Sequence, residues 1–200
     1  MRLLDRSTSR IPQPWRSVVD WVVTIALAAG FVLVFESEVA KPYRIPTSSM
    51  EPTLRCAKPG DWCSGNSSDR VIANRLAYRF SSPKRGQIVV FEAPASASRC
   101  GGADGGSTFV KRLIGLPGDT ITERKGVVFV NGKRLNEPYV APALRDDGSG
   151  TWHVAAGRYF FMGDDRAHSC DSRTWGTVPR GNLIGPVIAT YWPPDRISVR

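Results

Sequence analysis

The apolar positions of this chain fall into two patterns. The first is one long run. From Trp21 to Phe35 no residue is charged, and Thr24 is the only polar side chain. Val18 and Val19 extend the run to 18 positions, with Asp20 as the one interruption. A helix of that length covers roughly 27 Å, about the thickness of a bilayer core. Asp20 would then sit near the headgroups, where a charge costs little. A cleaved signal peptide carries a shorter apolar stretch and small residues at its cut. Here Phe35 is followed by ESEVAKPYR, with no such site directly after it. The pattern predicts a retained transmembrane helix over residues 18–36 rather than a cleaved leader or a buried soluble helix.

The second pattern begins after residue 40. Gln87–Phe91, Val127–Val130, Arg158–Met162 and Ile184–Trp192 are short apolar, β-branched or aromatic runs bounded by turn residues. Asn131-Gly132 between VVFV and KRL is a two-residue hairpin signal. Pro117-Gly118-Asp119 marks another turn, and Ala95–Ser107 and Ala141–Gly150 read as surface loops. A short helix around Arg70–Tyr78 is the one helical expectation in this part. Residues 37–200 are therefore expected to form a mainly β domain.

Charge orients the anchor. Arg2, Arg6, Arg10 and Arg16 precede it against Asp5 alone, and Glu36 and Glu38 follow it. Positive residues stay on the cytoplasmic side. This predicts a cytoplasmic tail over 1–17 and an extracytoplasmic domain over 37–200 of a single-pass cell-membrane protein. The formal net charge of +9 permits anionic lipid as a partner. A nucleic-acid binder is argued against by the export topology and by the lack of clustered Lys/Arg with stacking aromatics. Cys56, Cys63, Cys100 and Cys170 all lie on the exported side, where disulfides persist. Cys56 with Cys63 is the simplest local pair, which leaves Cys100 for Cys170. Free thiols stay open, and irregular spacing with two histidines in the chain makes a zinc site the weaker reading.

Three segments carry candidate chemistry. Lys111 sits in TFVKRLIGLPGD among apolar neighbours, the setting in which burial lowers a lysine toward neutrality and makes it a base. In IPTSSMEPTL two prolines bracket Thr47, Ser48 and Ser49, stiffening a segment with exposed hydroxyls. GDDRAHSCDSRTWG follows an apolar strand and is dense in polar groups. Taken singly, these read as a surface lysine, a solvated loop and a salt-bridged turn.

Together they resemble the bacterial type I signal peptidases, also called leader peptidases. The motifs stand in the family's order behind the anchor: IPTSSMEPTL, KRGQIVVF (Lys84–Phe91), FVKRLIGLPGDTI (Phe109–Ile121) and GDDRAHSCDSRTWG (Gly163–Gly176). The resemblance implies a catalytic domain of coiled antiparallel β-sheets and a serine endopeptidase without metal or cofactor. It implies Ser49 as nucleophile and Lys111 as general base. The Ser49 N–H and the Thr47 hydroxyl would form the oxyanion hole. Ser169 would orient the lysine, and Asp171 and Arg173 would scaffold the site, paired with each other. Ile45, Met50, Leu54 and Val110 are candidate walls of pockets that admit small residues, with Tyr43 and Phe109 beside them. Substrates would be signal peptides of exported preproteins, cut after Ala-x-Ala-type sites near the bilayer and the export machinery. Asp165 stands where the family usually has Asn, and His168 and Cys170 flank Ser169. Ser49 lies 13 residues beyond Glu36, at most roughly 45 Å of chain, so the nucleophile stays near the membrane face. A specialised peptidase of the same family and an anchored β module that binds exported proteins without cutting them are the competing functions.

Overall fold

The computed structural model describes residues 13–100 and 107–200. The expected tail with Arg2, Arg6 and Arg10, and the middle of the loop expected at 95–107, lie outside the described residues. The chain divides into two compact units, 1–39 and 40–200.

The first unit contains α1, Gln13–Glu38, with 26 residues. Trp21, Val22, Ile25, Leu27, Phe31 and Leu33 are all exposed on it. Among the described residues no helix is long and apolar enough to cross a membrane; the side chains of 34–38 are outside that description.

The second unit is mainly β. Its strands are β1 (Ala40–Arg44), β2 (Arg70–Asn74), β3 (Ile88–Glu92), β4 (Thr108–Gly115), β5 (Thr120–Arg124) and β6 (Val127–Val130). β7 (Lys133–Arg134), β8 (Gly150–His153), β9 (Arg158–Met162), β10 (Val178–Pro179), β11 (Leu183–Trp192) and β12 (Ser198–Val199) complete them. The larger sheet runs β1-β2-β11-β3-β4-β9-β10, with β12 on β11; the smaller runs β7-β6-β5-β8. Every named strand pair is antiparallel. The β6–β7 hairpin turns at Asn131 and Gly132, both at positive φ (51° and 78°), as an Asn-Gly turn requires.

Side-chain alternation builds the core. Ile88 and Val90 of β3 enter a cluster with Ile45, Met50 and Leu54, whereas Val89 and Phe91 enter another with Leu113 and Phe161. Both faces of β3 are thus covered, which is why QIVVF reads as one unbroken apolar run. A third cluster joins Ile114, Ile121, Val128, Phe160 and Met162, tying the small sheet to the large one.

The helix expected around Arg70–Tyr78 is corrected. Residues 70–74 form β2, and only Ala77–Phe80 is helical (α2). Val71 and Ala73 are fully buried in the first cluster, and β2 pairs with both β1 and β11. Partners on both sides outweigh the weak local preference of RVIAN for either state. Both candidate disulfides form, Cys56–Cys63 and Cys100–Cys170.

Candidate active site

Three pieces of backbone meet at the site. The first is a 3-10 turn, Ser48–Met50, entered from Thr47 in an extended conformation. The buried Met50 and Ile45 pull this segment against the core, and Leu54 N–H bonds Met50 O at 2.8 Å. The turn thereby holds Ser49 still. The second piece is the first half of β4, which is paired with β3. The third is the loop after β9, running from Gly163 into α3 (Ser172–Trp175).

Lys111 is 6% exposed, and its Nζ stands 2.5 Å from Ser49 Oγ. Burial pushes the lysine down to about 8, against the attraction of Asp171 and Asp164, which favour its charged form. Neither carboxylate is ion-paired with it. Asp171 is committed to Arg173, bidentate at 2.9 Å from Nε and 2.9 Å from Nη2. Asp164 is committed to Arg112, at 2.8 and 2.6 Å. A lysine near neutrality beside a serine hydroxyl is a base and nucleophile in hydrogen-bond reach.

Thr47 Oγ1 lies 3.4 Å from Ser49 Oγ. Asp171 also accepts from Gly163 N–H at 3.0 Å and from Arg173 N–H at 3.2 Å, so it fixes both ends of the 163–173 loop. Arg173 reaches onward to Asp146 at 2.5 Å and to the Arg166 carbonyl at 2.8 Å. Ser169 is brought next to the site, but its Oγ is buried without a hydrogen-bond partner, and no bond to Lys111 is made.

A cavity of about 590 Å³ opens over Ser49 and Lys111. Ile45, Met50 and Val110 border it, as do Tyr43 and Phe109. Leu54 does not: it is fully buried in the cluster behind Met50, because the turn after Ser49 carries it inward. No group of His, Cys, Asp and Glu suited to a metal ion occurs among the described residues.

Three residues outside the expected set shape the site. A side chain at Gly163 would collide with Ser169 Oγ and the Ser49 carbonyl, so glycine is what lets the loop and the Ser49 backbone touch. Asp165 N–H donates to that same Ser49 carbonyl at 3.2 Å. Asp164 anchors the loop through Arg112 and Thr53 Oγ1 (2.5 Å). The sequence signal for them was the Gly-Asp-Asp directly behind an apolar strand.

The family model "Signal peptidase, peptidase S26" matches residues 18–192. A probable signal peptidase I-2 of Synechocystis is 37% identical over 187 residues, covering 92% of this chain and 77% of that protein. A signal peptidase I of Leptolyngbya laminosa is 34% identical, covering 94% and 86%. A signal peptidase I of Mycobacterium tuberculosis is 34% identical, covering 90% and 74%. A solved signal peptidase I from Enterococcus faecalis is 32% identical over 53% of this chain and 97% of that one, at a TM-score of 0.44.

Proposed function

We infer the chemistry from one premise: the chain belongs to the signal peptidase family, peptidase S26. Its activity is that of a signal peptidase I hydrolase, a serine protease that removes signal peptides from preproteins. Ser49 is the nucleophile and Lys111 the general base. The observation that carries this assignment is the 2.5 Å approach of a buried lysine, lowered to about 8, to the Ser49 hydroxyl.

Neutral Lys111 takes the proton of Ser49 as Oγ attacks the scissile carbonyl. The Ser49 N–H and the Thr47 hydroxyl hold the oxyanion. The lysine then protonates the leaving amine and later activates the water that hydrolyses the acyl-enzyme. Asp171 and Arg173 keep the loop behind the lysine in place. Ser169 orients the lysine: its buried hydroxyl lacks a partner, and turning toward Nζ supplies one. Ile45, Met50 and Val110 shape shallow apolar subsites that exclude bulk, which gives cleavage after Ala-x-Ala-type sites.

Residues 18–36 anchor the enzyme in the cell membrane, with 1–17 cytoplasmic and 37–200 extracytoplasmic. The uncharged run Trp21–Phe35 and the apolar side chains exposed around α1 support this. That topology leaves the catalytic domain on the side where preproteins leave the export machinery. The test is cleavage of a preprotein with an Ala-x-Ala site, in detergent, by wild type, Ser49→Ala and Lys111→Met. Wild type cuts at that site, and both folded variants lose cutting. Retained activity in Lys111→Met would remove the lysine base.

A further inference from the structure

His168 borders the same cavity as Ser49 and Lys111, yet the chemistry above leaves it unused. Its ring is fixed: Nδ1 lies 3.0 and 3.1 Å from the two carboxylate oxygens of Asp165, and its backbone N–H donates to the same group at 3.1 Å. Asp165 in turn holds the Ser49 carbonyl through its own N–H. The imidazole is therefore positioned relative to the nucleophile's backbone. Trp62 is stacked on it, with ring centroids 4.0 Å apart and planes 22° from parallel.

Core packing does not account for Trp62. It is 70% exposed and has a φ of 61°, a left-handed conformation that is unfavourable for a bulky residue. The loop that carries it is nevertheless tied down. The Cys56–Cys63 disulfide closes it. The buried carboxylate of Glu51, two residues past the nucleophile, accepts from Cys56 N–H (3.2 Å), Ser64 N–H (2.9 Å) and Ser64 Oγ. An exposed indole in a strained conformation is thus held by an anchored loop against His168, the residue of the pair that borders the cleft.

A fixed pair of flat rings suits a flat partner, and little side-chain freedom is lost on binding. The basic side chains bordering the cavity besides the His168 ring are Arg44 and Lys111, with no carboxylate among the described lining. A cationic side chain would be repelled there; a neutral ring would not. We propose that Trp62 and His168 form a further substrate subsite, one that stacks an aromatic side chain of the preprotein next to the small residues at the cut. This rests on the peptidase reading above.

The test uses full-length enzyme in detergent and a peptide series with an Ala-x-Ala site. Positions around the cut, other than the two small ones, are changed singly from Ala to Phe. At one position Phe raises wild-type kcat/KM on the order of two- to tenfold, mainly through KM. That Phe-to-Ala ratio falls to about one in Trp62→Ala and returns in Trp62→Phe. A wild type indifferent to Phe at every position would overturn the subsite. So would a ratio that survives in Trp62→Ala while all rates fall together, because the stack would then be structural only. Wild type cutting none of the peptides would overturn the peptidase reading itself.

Discussion

Lys111 and Arg112 are neighbours on β4, and the pleat sends them into different surroundings. Arg112 enters a region of paired charge. Asp164 takes its guanidinium bidentately, Gly86 O accepts from Nη1 at 2.7 Å, and the Tyr139 ring lies 3.8 Å from its centre. Arg166 with Glu137 and Arg173 with Asp171 extend the same pattern behind the site. Lys111 enters the cleft, where its partner is a hydroxyl. Both cations are buried. The arginine is given a carboxylate and holds the loop; the lysine is denied one, and in the proposed mechanism it serves as the base. The carboxylates nearest Lys111 are already occupied by arginines, which keeps the lysine deprotonatable.

The strongest way to break this contrast is to remove the base. Lys111→Met should lose at least about 10⁴-fold in single-turnover cleavage, as removal of a member of a catalytic nucleophile–base set typically does. Next is the paired region. Asp164→Ala strands a buried guanidinium and should lower unfolding free energy by about 3–5 kcal/mol in denaturant titrations. Thr47→Val should then cost about 2.7–4 kcal/mol of transition-state stabilisation, read as a fall in kcat with KM nearly unchanged. The smallest effect sharpens the comparison, because it has the opposite sign. Lys111 has a folded-state value of about 8 against an ordinary 10.5. Between those values the unfolded chain holds a proton that the folded one lacks, so this group makes stability rise with pH across the window and imposes its full penalty below it. Lys111→Met should therefore be more stable than wild type at neutral pH, by on the order of 3 kcal/mol, and lose that advantage above pH about 10.5.

The legible parts of the sequence were those where local pattern and final environment agree. RYFFM is β9 residue for residue, because both of its faces are buried. Asn131-Gly132 is read from turn chemistry alone. β4 was harder to read from apolar pattern: two cations interrupt it, and only tertiary partners make them tolerable. β2 was misread because its burial comes from β1 and β11, which are distant in sequence or carry no apolar run of their own. At the site, Ser49, Lys111 and Thr47 came from ordered motifs, and they meet. Leu54 failed as a pocket wall because spacing along a chain does not say which way a turn faces. Gly163 acts through a close backbone approach, and Asp165 through its N–H as well as its carboxylate; the Gly-Asp-Asp signal marks the place without saying what either residue meets.

The most direct measurement is the pH dependence of kcat/KM for cleavage of a peptide with an Ala-x-Ala site. The rate should rise with pH and level off through an inflection near 8, where Lys111 becomes neutral in the free enzyme. An inflection in the ordinary imidazole range, at about 6.5, would put His168 in place of the lysine and contradict the contrast on which this account rests.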